Sequence, residues 1–187
     1  RAMATLLHGN EPSGARAIHQ WLRAGRRPRT GLICLVAAVH TALHEEPFRH
    51  RFMPGQRDQN RCFRAPFDDA PGHIAEHFLE LLGQHRPECL LDLHNTSGFG
   101  PAFGVVPHED LAHEAIVSRF CSHLIITDLK LGSLMRFVSR SVVTGARGMP
   151  SDSRTLFSIA VDRAGFSRKN SRALSRPWPI FSPLNAY

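Results

Sequence analysis

Three short segments hold the residue types that could do chemistry: His8-Gly-Asn-Glu11, Asp58-Gln-Asn60-Arg61 and Asp92-Leu-His94-Asn95. The first offers an imidazole and a carboxylate three residues apart, and the third a second imidazole after an apolar run. Two histidines and one glutamate with a fourth position open form a common donor set for a hydrolytic zinc site. The middle segment sets an amide beside a guanidinium, whose planar fork can bond a carboxylate through two hydrogen bonds at once. Together they point to hydrolysis of a small amide that carries a carboxylate.

Each segment also has a plainer reading. Glu11 could complement the dipole at a helix start, with His8 an incidental loop residue. Asp92 and His94 could pair with backbone, and Arg57 to Arg61 could be a solvated loop. Two features weigh for the chemical reading. A histidine at the end of a buried strand needs a polar partner. Asp92 alternates with His94 and so faces the same side, where it could orient the imidazole of a metal ligand. Of the other histidines, His73 and His77 share a helix face with Glu76 between them and read as solvated surface. His108, His113 and the rest show no motif-like spacing.

The elements that must position these residues alternate in type. Ala2 to Leu7 reads as a short buried strand, followed by a helix opened by Pro12 and Ser13, with Ser13 or Asn10 as N-cap. Ala17, Ile18, Trp21 and Leu22 give that helix its apolar stripe, and Gly25 ends it. The apolar run from Gly31 to Val39 reads as a strand buried on both faces, with Cys34 a small buried hydrophobe. His40 to Pro71 is polar and punctuated by Pro and Gly, a long loop of the kind that is usually functional. Further on come a helix around Ile74, Phe78, Leu81 and Leu82, and a strand at Cys89–Leu93. A strand at Ala102–Val106, a capped helix from Asp110 to Phe120, and strands at His123–Thr127 and Leu156–Val161 complete the series. This alternation predicts an α/β fold with a mixed, largely parallel central sheet flanked by helices. His8 and His94 both stand just past a strand's carboxyl end, where ligands gather in such sheets.

At this point the residues resemble a known family. His8-Gly-Asn-Glu-Pro-Ser-Gly14, Arg51-Phe through Asp58-Gln-Asn-Arg61 and Asp92-Leu-His-Asn-Thr-Ser-Gly98 are similar to motifs of the succinylglutamate desuccinylase/aspartoacylase family, a branch of the zinc carboxypeptidase superfamily. The likeness runs over roughly residues 3–130 and keeps the motif order. It implies a zinc-carboxypeptidase-like fold and one Zn2+ per chain, ligated by His8, Glu11 and His94. It also implies that Asn60 and Arg61 hold a substrate carboxylate and that Arg51 helps polarise the scissile carbonyl. The family's general base is a glutamate in a Glu-x-Gly strand. The matching region, Ser158-Ile-Ala-Val-Asp-Arg-Ala-Gly165, has no Glu, so Asp162 is the candidate stand-in; with the alignment anchored on Arg163-Ala-Gly165 instead, the base position falls on Ala160 and is empty. The family also carries sequence before the first motif and a β-rich domain after the base, so the resemblance implies a chain truncated at both ends.

The expected function is therefore a zinc-dependent deacylase for a substrate such as an N-acyl amino acid. The alternatives are a carboxypeptidase-type peptidase and a non-catalytic zinc-binding fragment without the base. Residues 1–165 are expected to form the incomplete catalytic domain and 166–187 an irregular basic tail.

Composition agrees with one globular domain: 187 residues, 42% apolar and 21% charged. The net charge of +7 is unevenly spread. Residues 1–127 hold 13 basic and 13 acidic side chains, whereas residues 128–187 hold 10 basic residues against Asp128, Asp152 and Asp162. The aromatics of that basic stretch follow no stacking motif, so it predicts no nucleic-acid partner. No apolar run reaches the ~18–20 residues of a membrane span, and residues 1–7 do not read as a signal peptide. A cytoplasmic location, no membrane association and a small-molecule carboxylate substrate are the resulting expectations; the sequence leaves the oligomeric state open.

Overall fold

The computed structural model describes residues 1–96, 100–127 and 133–135, together with the backbone of a strand at 155–162. Six strands form one sheet: β1 (Ala2–Thr5), β2 (Ile33–Val36), β3 (Cys89–Thr96), β4 (Phe103–Val106), β5 (His123–Ile126) and β6 (Thr155–Asp162). Their spatial order is β2-β1-β3-β6-β4-β5. β2, β1, β3 and β6 are mutually parallel, whereas β4 runs antiparallel to β6 and parallel to β5. The sheet is thus mixed and largely parallel, as predicted. Helices α1 (Ser13–Arg23), α2 (Val39–Ala42), α3 (Ala70–His85) and α4 (Leu111–Val117) connect the strands.

β1 is buried along its whole length, and its side chains join Leu7, Phe63, Phe78, Leu90 and Val106 in one core. Phe63 and Cys62 are fully buried although they lie in the long polar stretch. These two side chains anchor the loop from 43 to 69, a feature that its overall polarity conceals. α3 begins at Asp69, whose side chain caps Gly72 N at 2.8 Å, with Pro71 in the first turn where its missing N–H costs nothing.

Two expectations are corrected here. β2 is not buried on both faces: it is shorter than the apolar run, lies at the sheet edge, and alternates between half-buried and exposed positions. Ile33 and Leu35 pack toward Ile74, Phe78 and Leu81 of α3, while Cys34 is exposed rather than a buried hydrophobe. An apolar run records affinity for a sheet, and only the strand order decides whether one face or both are covered. Nor does Ser13 or Asn10 cap α1. Pro12 occupies that position without a side-chain bond, and the Ser13 N–H donates instead to Asn95 Oδ1 of β3 at 3.2 Å.

Candidate metal centre

His8 is placed by the turn that leaves β1. Leu6 adopts φ 55°, a left-handed conformation costly for a branched side chain, yet it is buried and its carbonyl accepts from Ala38 N. The turn also needs Gly9, where a Cβ would meet His50 O and Thr41 Cγ2, both at 2.7 Å. α1 then starts against the sheet because Gly14 has no side chain: a Cβ there would collide with Thr5 Oγ1 and come within 2.8 Å of Leu93 Cβ. This close approach brings Glu11, just before α1, over the end of β3.

The result is a compact cluster. Glu11 Oε1 accepts from His8 Nδ1 and Oε2 from His94 Nδ1, each at 2.8 Å. The two imidazole centroids lie 5.2 Å apart, and the three donor atoms all fall within 4.8 Å of one another. Behind each imidazole stands a second carboxylate. His94 Nε2 meets Asp92 Oδ2 at 2.7 Å, and His8 Nε2 meets Asp58 Oδ1 at 3.0 Å. Asn95 locks the arrangement: its N–H donates to Glu11 Oε2 at 3.1 Å and its Nδ2 donates to Ser13 Oγ at 2.7 Å.

The electrostatics follow from this packing. Burial pushes Glu11 up, but hydrogen bonds from both histidines outweigh it and hold the carboxyl at about 2. Burial pulls His94 down, and the adjacent Asp92 and Glu11 carboxylates more than reverse this, raising it to about 10. His8 is raised as well, its desolvation overcome by bonds to Asp58 and Glu11. Burial likewise opposes Asp58 ionisation, and His8 and Arg51 drive that carboxyl well below its usual range.

Arg51 enters the same site. Its Nε and Nη2 donate to Asp58 Oδ2 at 3.2 and 3.0 Å, and its Nη1 lies 3.8 Å from Glu11 Oε1. Nη2 also stands 2.7 Å from His8 Nε2, so Arg51 and the Asp58 carboxylate meet the same imidazole nitrogen. Asn60 and Arg61 sit in a 3-10 turn, Gln59–Arg61, whose start is capped by Asp58 through Asn60 N at 2.8 Å. The Asn60 carboxamide oxygen accepts from Leu134 N at 3.1 Å, and Arg61 Nη1 donates to Asn60 O at 2.7 Å. Among the described residues, Arg61 has no carboxylate partner. Arg57 does: it grips Asp69 through Nε and Nη2 at 2.7 and 2.6 Å.

All three motifs are therefore brought together, along with Arg51. Asp58, which the sequence offered only as a flank of the Asn-Arg pair, proves to be the partner of His8; its signal was its place at the head of that motif. The Asp162 side chain and residues 166–187 lie outside the described residues. The Asp162 backbone pairs in register with Thr96, two rungs beyond the His94–Ala160 pair.

A search of solved structures finds this fold in hydrolases. Succinylglutamate desuccinylase from Chromobacterium violaceum superposes with a TM-score of 0.68 at 15% identity, over 93% of this chain and 59% of that one. Murine aminoacylase 3 does so with a TM-score of 0.60 at 20% identity, over 94% and 62%. A protein of Shewanella denitrificans described as a candidate metallopeptidase gives 0.64 at 18%, over 93% and 70%. The fold is zinc-carboxypeptidase-like. The family that the motifs resemble is among those whose solved members share it, and the chain spans roughly three fifths of those desuccinylase and aminoacylase chains. No protein-family model matches the chain, and no curated protein does. No helix among the described residues is long and apolar enough to cross a membrane.

Proposed function

We propose that this chain carries the catalytic centre of a zinc-dependent hydrolase that cleaves the amide bond of a small carboxylate-bearing substrate, with an N-acyl amino acid as the type substrate. The observation that carries the reading is the His8–Glu11–His94 cluster with a carboxylate behind each imidazole. The Asp92 carboxylate on His94 Nε2 would keep a proton on that nitrogen once the Nδ1 proton, now donated to Glu11, leaves, freeing the Nδ1 lone pair that a metal-ligating histidine requires. The donor set therefore fits zinc, and His8, Glu11 and His94 would hold one ion. When bound, the ion supplies Lewis acidity toward the amide carbonyl and makes hydroxide available near pH ~7.

The remaining roles fall to the chain's own groups. Arg51, anchored on Asp58 beside His8, is placed to draw charge onto the scissile carbonyl oxygen. Arg61, with no carboxylate partner among the described residues, receives the substrate carboxylate. Asn60, whose carboxamide oxygen accepts from Leu134 N, would assist with its amide donors. Asp162 takes the water's proton and returns it to the leaving amine. Residues 1–165 would then be the catalytic domain.

The test is metal content and turnover on N-acyl amino acids, measured together. One zinc per chain, lost in His8→Ala and in His94→Ala, with turnover abolished by Asp162→Asn, is the expected result. Retention of near-stoichiometric zinc in either histidine variant overturns the ligand set. Zinc without turnover favours the non-catalytic reading, for which the Ala160 opposite His94 is the specific observation.

A further inference from the structure

A second cluster of ligand-type side chains lies away from this centre. His108, Asp110 and His113 bring one nitrogen or oxygen each to within 4.8 Å of one another. The two imidazoles meet edge to face with centroids 4.9 Å apart. Asp110 caps α4 through Oδ1, which accepts from Ala112 N at 2.6 Å. A carboxylate offers about four lone-pair sites on its two oxygens, so one capping bond does not exhaust it. His113 is 1% exposed and His108 is exposed, so the cluster has one ligand set into the protein and one facing the solvent.

The topology separates this cluster from His94. Phe103 of β4 pairs with Ala160, which pairs with His94, so the His94 row meets the start of β4. β4 then runs in the opposite direction to β3 for three steps, roughly 10 Å at ~3.3 Å per residue, before the loop that holds His108. The cluster therefore lies toward the end of the sheet where β3 begins, and no residue is shared between the two.

We propose that His108, Asp110 and His113 form a second divalent-metal site, suited to zinc or another imidazole-preferring ion. Two nitrogens and one oxygen match the softness of such an ion, whereas a site for magnesium or calcium would be built from oxygens. Occupancy would tie residues 107–110 to the first turns of α4 and so fasten that helix to β4. It would serve stability rather than turnover.

The experiment uses the full chain and Co2+ as a visible probe. His8→Ala/His94→Ala protein, lacking the first centre, should still bind one Co2+ per chain with a ligand-field absorption band, and addition of His108→Ala should abolish it. Asp110→Asn, which keeps the helix cap, should weaken the binding. If the double variant does not fold, the intact chain gives the same reading: two equivalents falling to one in His108→Ala, an exposed position where folding is unaffected. Failure of the first centre is distinguishable, because one equivalent would then remain sensitive to His108→Ala and insensitive to His8→Ala. No binding at tens of micromolar Co2+ in the folded double variant, or binding indifferent to both His108→Ala and Asp110→Asn, overturns the proposal.

Discussion

At the residue scale, the centre depends on groups that never need to touch an ion. Asn95 joins the end of β3 to the start of α1 and holds Glu11 between the histidines. Asn95→Ala should leave all three donors present yet lower zinc affinity about 10–100-fold, the usual cost of losing a residue that orients a ligand; competition against a chromophoric chelator measures it. Arg61→Lys should raise ΔG‡ for kcat/KM by roughly 1.5–3 kcal/mol, because an ammonium cannot reproduce the planar fork. The loss should shrink on a substrate whose carboxylate is replaced by an amide, and zinc content should not move. Equal losses on both substrates would make Arg61 a support for its own turn. Arg57, four residues earlier, is expected from sequence to be an indifferent control for that experiment. Its two bonds to Asp69 at the start of α3 show otherwise, and Arg64, whose side chain is exposed, is the better choice.

At the element scale, the fit of α1 on the sheet sets where Glu11 stands. Gly14→Ala gains helix propensity of up to ~1 kcal/mol, but its methyl meets Thr5 and Leu93, strand residues that cannot swing aside. Overpacking of this kind costs ~1–3 kcal/mol, so Tm should fall and zinc affinity should fall with it. An unchanged Tm and affinity would show that α1 shifts without consequence. The start of α3 has a pH signature. Arg57 bonds Asp69 and, with Gly72 N, holds the carboxyl at about 2 against an ordinary 3.8. A depressed carboxylate stabilises above its unfolded pKa and loses that contribution as pH falls through the folded one. The contribution should therefore be complete above pH ~4 and decline toward pH ~2, and Arg57→Ala should abolish that part of the profile in urea titrations. Both side chains are about a third exposed, so the amount is ~1 kcal/mol or less.

At the scale of the whole molecule, metal binding and protonation oppose each other. In the free protein both imidazoles donate from Nδ1 to Glu11, and His94 holds its proton up to about pH 10. A metal ion can take those nitrogens only if the protons leave, so uptake should release protons into the buffer and weaken as pH falls. Calorimetry in buffers of different ionisation enthalpy would count them. Release of no protons at pH 7 would mean that the histidines are not the ligands. Zinc should also raise Tm in a concentration-dependent way, since it binds the folded chain and not the scattered donors of the unfolded one. Chelator should return Tm to its starting value.

The sequence alone determined a good deal here, and for local reasons. Alternating apolar runs and helical stripes fixed the α/β layering, because the periods 2 and 3.6 are properties of the chain itself. Asp110 announced the start of α4, since capping is settled within a few residues. His8, Glu11 and His94 were legible as donors by type and by their place after strands. Tertiary structure decided what depends on parts of the chain meeting across long separations. That β2 is an edge strand follows from strand order. That Asn95 rather than Ser13 or Asn10 serves the start of α1 follows from α1 lying over β3. Asp58 finds His8 across 50 residues. His108 and His113 stand only five residues apart, so their meeting is local to the start of α4, whereas the His8–Asp58 and Glu11–His94 pairs exist only once distant segments have packed together.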